Sequence, residues 1–449
     1  MKDYKLTVGL EIHAELNTRT KMFCDSRNDS DEKRPNVNIC PVCMGHPGTL
    51  PVINKEAVKS ILRLGLAVGG TLADYTEFDR KNYFYPDIPK GYQVSQYKHP
   101  LVSGGELAGV QITRIHLEED TARSMHDKGE GSLVDFNRAG VPLMELVTEP
   151  VIHEAATASF FAKELQLLLT TLGIAEANME KGEMRVEANI SVSKGSDLGT
   201  KVEVKNLNSF RSAERAIAFE YERQSTLLKR GERVLQETRG WDDAKGETYS
   251  QRAKEESHDY RYFPEPDLPK LFIAEIPEFT EAELAKSLPE LPEAKRKRFL
   301  GLGITPEHAD IYVTQPEWGT FFEEAVKTLN EPGLVVLASN YITSELKALV
   351  SPVEFVELIR MVSKGEISSK GMKSALKVLS EKGGTAQDIV AENNLMQNSN
   401  EEELEKIAKE VMREEKQGVP LQYLVGQAMK KSGGRANPIL LQEIFSKLL

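Results

Sequence analysis

Cysteine is scarce in this chain. Cys24, Cys40 and Cys43 are the only three in 449 residues, and all fall between positions 24 and 43. A secreted disulfide framework uses more cysteines, in even number and spread along the chain. The expected setting is therefore a reducing cytosol. Long apolar runs are also missing. Leu64 to Val68 and Leu334 to Ala338 fall far short of the ~20 residues that cross a bilayer. The opening Met1-Lys-Asp-Tyr-Lys-Leu6 has neither the apolar stretch of a signal peptide nor the Arg/Ser-rich pattern of a transit peptide. No excess of basic residues exists, since 57 Lys and Arg face 69 Asp and Glu for a net charge of -12. That balance excludes an indiscriminate nucleic-acid coat but leaves room for a local basic patch. There is no Walker A sequence, no GxGxxG followed by an acid, no HExxH and no GxSxG. The chain thus lacks a common ATP cradle and a common hydrolase nucleophile.

What is present reads as a folded protein. Hydrophobic residues make up 40% and charged residues 28%, and the length suits about three domains. The first 270 or so residues are β-rich, with alternating segments at Leu6–Leu16, Val110–Glu118, Leu143–Val147, Arg185–Val192 and Lys201–Lys205. Two helical patterns interrupt them, Glu154–Leu172 before Gly173 and Ser209–Arg230 before Gly231, each glycine suited to a C-cap. A Pro-rich passage from Pro264 to Pro292 follows. Beyond it the patterns are helical, as in Thr320–Leu329 and Tyr341–Leu349. Asn393 to Asn400 reads as a linker. The expected class is α+β, an antiparallel-sheet-rich domain over 1–290, then helical domains over 291–395 and 396–449.

Candidate chemistry sits on the strands. Along the first one, Thr7, Gly9, Glu11, His13 and Glu15 alternate with apolar residues, so Glu11 and His13 project from one face about 7 Å apart. A solvated strand face gives the same pattern. His116-Leu-Glu-Glu-Asp120 ends a strand whose alternation slips between Thr113 and Ile115, the mark of a bulge. Glu145 lies inside the apolar Pro142–Val147, where it needs a metal or a cation such as Arg138. Hard oxygen donors with an imidazole suit Mg²⁺ or Mn²⁺. Arg185, Glu187 and Asn189 share a face of a hairpin with Lys201, Glu203 and Lys205, and Asn206 to Ser209 leads into a helix N-terminus, a natural anion site. Cross-strand ion pairs on an exposed face are the alternative. Two aromatic, basic segments, Asp79–Asp87 and His258–Asp267, suit stacking on bases or packing in a core. Cys24, Cys40 and Cys43 resemble part of a zinc knuckle, with His46 a possible fourth donor.

Taken in order, Val8–His13, Cys40–Gly48, Asp79–Asp87, His116–Asp120, Glu183–Ser191, Lys205–Phe210, Asp259–Pro266, Tyr423–Met429 and Asn437-Pro438 resemble the B-subunit family of the aspartyl/glutamyl-tRNA(Asn/Gln) amidotransferases. The resemblance implies a cradle-shaped α+β domain, a helical domain and a small helical tail of the YqeY type. It implies an enzyme that uses ATP and Mg²⁺ to phosphorylate the side-chain carboxylate of Glu-tRNA(Gln) or Asp-tRNA(Asn). Ammonia then displaces the phosphate. That ammonia comes through a channel from an amidase-fold glutaminase A subunit, and a small C subunit clamps the two.

Residue by residue, the resemblance assigns the metal to Glu11, His13, Glu119 and Glu145, although alternation alone favours Glu118 over Glu119. Arg185, Glu187, Asn189, Lys205 and Asn206 are expected to line the nucleotide or acyl-phosphate site, with Lys81 and Tyr85 orienting the aminoacyl end. Lys430, Lys431 and Arg435 in the tail are expected to touch the tRNA body. One departure concerns zinc. Many members carry a Cys-X-Cys pair where this chain has Cys24-Asp-Ser26, so one thiol is missing and zinc is doubtful. An RNA-binding scaffold without catalysis and a metal-dependent hydrolase are the competing readings.

Overall fold

Apolar side chains on alternate positions of Lys5–Glu15 (β1) force that strand to bury one face, and the rest of the N-terminal unit is arranged around it. In the computed structural model the chain divides into two compact units, residues 1–291 and 292–449. Residues 4–125, 131–195, 197–253, 260–329, 331–415 and 419–449 are described. His258 and Asp259 of the second aromatic segment lie outside them.

The first unit holds Asp79–Asn82 (β2), Tyr92–Ser95 (β3), Val110–Glu119 (β4), Pro142–Thr148 (β5), Met184–Ser193 (β6), Val202–Leu207 (β7), Glu237–Asp242 (β8) and Glu247–Ala253 (β9). Among the described residues the large sheet runs β9-β8-β7-β6-β1-β5-β4, continued by Val102–Ser103 and Thr71–Leu72. Its pairings are antiparallel except β7 with β8. Among the described residues four α-helices belong to the unit: Lys55–Ala67 (α1), Ala155–Thr171 (α2), Phe210–Lys229 (α3) and the short Glu281–Lys286 (α4). The helix α2 packs on β1, and α3 packs on β6 and β7. One sheet face, with Leu10, Ile12, Ala14, Met144, Leu146, Val186, Ala188 and Val204, joins Phe161, Leu165, Ala213 and Ile217 of these helices in one core. Burial of this apolar face supplies the main driving force.

The helices start and stop where their caps dictate. The Asn54 carboxamide accepts from the Glu56 and Ala57 amides at 3.0 and 3.3 Å, and the Ser209 hydroxyl accepts from the Ser212 amide at 3.0 Å. Gly173 and Gly231, both at positive φ, follow α2 and α3 as expected. The expected slip in β4 is also present, as Val147 faces Arg114 while Thr148 faces Ile112. A smaller sheet joins Phe263–Pro264, β2 and β3. Phe263 faces Arg80, so the two aromatic segments meet although 180 residues separate them. The Arg80 guanidinium clamps the buried Glu265 with two hydrogen bonds of 2.7 Å.

The second unit is helical throughout its described elements. Helices Pro292–Leu300, Pro306–Thr314, Pro316–Leu329, Pro332–Glu345, Pro352–Ser363 and Pro438–Leu448 all begin at a proline, where its fixed φ helps and its missing N–H costs nothing. The expected helix Tyr341–Leu349 therefore starts earlier and stops at Glu345. Ser369–Lys382 and Ala386–Glu392 complete this part. The last three helices, Glu401–Glu414, Leu421–Lys431 and Pro438–Leu448, share a core of Leu404, Ala408, Val411, Leu424, Ala428, Leu441 and Phe445. Asn393 to Asn400, expected as a linker, joins Ala386–Glu392 to Glu401–Glu414. Its backbone is pinned, Gln397 N donating to Glu366 O and Asn398 N to Arg435 O, both at 2.7 Å. Among the described residues no helix is long and apolar enough to cross a membrane.

Ile12 is fully buried at the centre of the sheet. Ile12→Ala should lower the stability of the first unit by ~2–5 kcal/mol through lost transfer energy and a residual cavity, measured by urea unfolding. A loss under about 1 kcal/mol would mean that the sheet–helix core does not rest on β1.

Candidate active site

The face of the sheet opposite the helices is polar, and strand register decides which of its groups meet. Direct cross-strand partners share a face. Arg185 on β6 stands opposite His13 on β1, His13 opposite Glu145 on β5, and Glu145 opposite His116 on β4. One row therefore crosses four strands. In the next row Glu187 faces Glu11, and in the row on the other side Leu143 faces Glu118.

Glu145 is the hub. Its carboxylate lies 3.3 Å from His13 Nε2, 3.7 Å from His116 Nε2 and 3.3 Å from Arg114 Nη2. Burial works against its charge, yet His116 and His13 hold it well below the usual carboxylate range. Burial likewise opposes the protonated form of His13, but the hydrogen bond and charge of Glu145 raise its pKa to about 9. Glu11 is 3.8 Å from the same imidazole. Burial, then Glu145 and Glu187, push its carboxyl up to about 7. Positive charge is thus in short supply around Glu11.

Glu118 is the second buried carboxylate on this face. It accepts from Gln93 Nε2 at 2.8 Å and Ser95 Oγ at 2.5 Å, and lies 3.5 Å from both Lys81 Nζ and His116 Nε2. Against its burial, Lys81 chiefly holds it at about 2. Glu11, His13 and Glu145 bring donor atoms within 4.8 Å of one another, and so do His116, Glu118 and Glu145. Two three-donor groups thus share Glu145.

A cavity of about 510 Å³ covers this face. Its lining includes Lys81, Arg185, Glu187 and Lys205, four of the residues expected from sequence. Lys205 Nζ is 2.8 Å from Glu187, and Arg185 Nη2 donates to the buried Asp120 at 2.6 Å. Arg138 does not pair with Glu145; it lies 3.6 Å from Asp120. Despite burial, Arg185 and Arg138 hold Asp120 at about 2. One wall of the cavity is aromatic. The Tyr97 and Tyr262 rings stack at 4.4 Å and 7°, and Lys81 Nζ sits 5.3 Å from the Tyr260 ring centre.

Several expected residues stand elsewhere. Of the two adjacent glutamates it is Glu118, not the expected Glu119, that shares the face of His116 and Glu145, because successive side chains on a strand leave by opposite faces. The Glu119 carboxylate pairs with Lys90 and accepts the Val94 amide at 2.9 Å, away from His13. Tyr85, Asn189 and Asn206 do not line the cavity among the described residues. Tyr85 is half exposed at a turn, and Asn206 is exposed at φ 64°, where β7 bulges. Asn189 does share the face of Glu187, opposite Gly9, and its carboxamide oxygen is buried without a hydrogen-bond partner. In the tail, Lys431 is engaged by Glu410 at 3.0 Å and Glu414 at 2.7 Å. Arg435 lines a separate cavity with Lys370 and Gly433-Gly434. Residues that sequence reasoning leaves unassigned are Arg114, Gln93, Ser95 and Tyr97. The alternation of β4 carries the signal for Arg114, whereas Gln93 and Ser95 enter from a strand with no such pattern.

Comparison with known proteins places this geometry. Residues 6–277 match the GatB/GatE catalytic domain and residues 320–449 the GatB domain. The chain is 41% identical over 478 residues to the B subunit of the aspartyl/glutamyl-tRNA(Asn/Gln) amidotransferase of Thermodesulfovibrio yellowstonii, covering 99% of each chain. It is 43% identical over 485 residues to the B subunit of the same enzyme from Thermomicrobium roseum, covering 100% of this chain and 99% of the relative. For that of Persephonella marina the identity is 40% over 479 residues, with both chains covered in full. Matches of this length and identity on both halves establish that the chain belongs to the GatB family.

Proposed function

We propose that this chain is the component of a tRNA-dependent amidotransferase that activates and amidates the side-chain carboxylate of Glu-tRNA(Gln) or Asp-tRNA(Asn). A carboxylate repels nucleophiles. Phosphorylation by ATP turns one of its oxygens into a leaving group, and ammonia then displaces phosphate to give the amide. The observation that carries the reading is the four-strand row Arg185–His13–Glu145–His116, flanked by Glu11 and Glu118, beneath the large cavity.

The donors fit a hard divalent cation. Two carboxylates and an imidazole make up each three-donor group, and Glu11 stands where positive charge is lacking. Mg²⁺ would be held by Glu11, His13 and Glu145, with His116 and Glu118 beside them, and would supply charge neutralisation for phosphoryl transfer. Lys81, Arg114 and Lys205 place fixed positive charge around the cavity for phosphate and carboxylate groups. Lys81, held between Glu118 and Tyr260, is the better candidate than Tyr85 for orienting the aminoacyl end. The tyrosine wall suits a terminal nucleoside, since aromatic faces accept bases by stacking.

Ammonia is dilute and mostly protonated at neutral pH, so a supplying subunit and a sheltered path are part of this reading. A glutaminase A subunit, a small C subunit and a cytoplasmic setting complete it. Zinc is not assigned: Cys24, Cys40 and Cys43 bring three sulfurs within 4.8 Å of one another and His46 lines the same cavity, but Ser26 stands where the family's Cys-X-Cys pair has its second thiol. In the tail, Lys430 and Arg435 are proposed to meet the tRNA body, with Lys431 tied back to its own helices.

ATP turnover by the complex, with ammonium as donor and charged or uncharged tRNA, tests the reading. Turnover should require a misacylated tRNA, and Glu11→Gln should lower it roughly 10²–10³-fold with tRNA binding retained. Turnover without acylated tRNA, or none at all in a complex that binds tRNA, would favour the scaffold. Glu118→Gln should resemble Glu11→Gln, and Glu119→Gln should stay within about threefold of the parent; the reverse order would return the metal to Glu119.

Proton competition gives a second check. His13 binds a proton below about 9 and Glu11 below about 7, so both protons oppose a cation at low pH and its binding releases them. Affinity for Mg²⁺ should rise from pH 6 to pH 9, with proton release visible by calorimetry in buffers of different ionisation heat. A flat profile would remove His13 and Glu11 from the cation site. Deleting residues 401–449 should raise KM for tRNA about tenfold with kcat within about twofold. A collapse of kcat at saturating tRNA would give the tail a role beyond gathering substrate.

A further inference from the structure

Two neutral side chains of β3 hold the Glu118 carboxylate in place. The Gln93 carboxamide, 5% exposed, spends both of its N–H groups on β4. One donates to Glu118 Oε2 at 2.8 Å and the other to the Glu119 main-chain oxygen at 2.7 Å. Ser95, 1% exposed, donates to Glu118 Oε1 at 2.5 Å. Each carboxylate oxygen thus takes one neutral donor, and the two together fix the plane of the group. The carboxamide is itself locked. Its oxygen accepts from the Tyr83 hydroxyl at 3.4 Å, and the reversed orientation would set that oxygen against a carboxylate and a carbonyl.

Register brings these donors together. Gln93 stands directly opposite Lys81 on β2, and Ser95 follows two residues on, so all three leave by one face of the small sheet. Their parts differ. Lys81 Nζ, 3.5 Å from Glu118, supplies charge. Gln93 and Ser95 supply direction and add no charge. The difference matters beside a cation. A second cationic side chain would repel the ion, whereas neutral donors keep the carboxylate still and leave its charge to the three-donor group it makes with His116 and Glu145.

We propose that Gln93 and Ser95 are positioning residues that aim the Glu118 carboxylate toward His116 and Glu145, and that they set the affinity of this face for Mg²⁺ and not its affinity for tRNA. The proposal rests on the reading of this face as a cation site. Neither residue is a ligand; both act through Glu118. Partners one step behind a metal's own donors commonly set its affinity, because a carboxylate that is free to turn pays orientation entropy each time an ion binds.

The test is calorimetric titration of Mg²⁺ into the full chain in its complex, without nucleotide. Gln93→Leu and Ser95→Ala should each weaken Mg²⁺ binding about tenfold. Ser95→Thr keeps the hydroxyl and should stay within about threefold of the parent. In a Glu118→Gln background, Gln93→Leu should add less than about twofold, since a residue that acts through Glu118 then has nothing to act on. ATP turnover with misacylated tRNA should recover at high Mg²⁺, with KM for tRNA within about twofold of the parent. A merely structural role would lower the urea midpoint and leave Mg²⁺ affinity unmoved. That result, or full additivity in the double variant, would overturn the proposal while Glu118→Gln alone still weakens binding. Should Glu118→Gln bind Mg²⁺ as the parent does, the cation reading itself fails and the proposal falls with it. Should Gln93→Leu fail to fold, Ser95→Ala, which removes a single oxygen, still decides.

Discussion

A buried carboxylate is tolerable only beside positive charge, and the antiparallel register around β1 delivers that charge to Glu145. His13 and His116 reach it from the two neighbouring strands, and Arg114 from one row away. A one-residue slip of β1 would send His13 into the helix-packed core and Ile12 to the polar face. The apolar half of each strand therefore fixes the polar half. Leu10, Ile12 and Ala14 can be buried together in one register, and that register assembles the row. Stability and site geometry come from one pattern read on its two faces.

The polar face is not uniform, and the difference marks where a ligand belongs. Around Asp120 the charges nearly balance within the chain, with Arg185 and Arg138 facing it and Glu15 pushed up to about 8 by burial and Asp120 itself. Around Glu118, Lys81 and two neutral donors suffice. Around Glu11 the balance fails: burial, then Glu145 and Glu187, outweigh His13 and Lys205, and the carboxyl rises to about 7. Neighbouring groups on one sheet thus divide into a self-compensated part and an uncompensated one, and the second is where an ion adds most.

Much of this is legible in the sequence. Alternation locates β1, β4, β5 and β6, and the caps and glycines bound α2 and α3 to within a residue, because these signals are local. The pairing of Glu11 with His13 follows from period two alone. The row across four strands does not, since two of its three pairings join segments 130 or more residues apart. Gln93 and Ser95 escape for the same reason: β3 is short, and only its position beside β4 turns two neutral residues toward Glu118. Composition marks Asn393–Asn400 as a connection but does not show that its backbone is pinned. Polar residues make good linkers, but they also make good backbone and cap partners, as Asn400 does for Glu401–Glu414.

The step from Glu119 to Glu118 shows how far a motif can be carried. His116-Leu-Glu-Glu-Asp120 identifies the family from its letters, yet which of two adjacent glutamates serves the site is a matter of pleat. Strand geometry assigns Glu118 to the face of His116 and Glu145, and Glu119 to the side of Lys90 and the cysteines. Two adjacent carboxylates thus belong to two cavities on either side of one strand. The polar face and the thiol cluster are separated by the thickness of β4. Whether two such sites are linked is a question of coupling energy rather than distance. β3 spans the same gap, since the Gln93 carboxamide reaches Glu118 and the Val94 amide reaches Glu119.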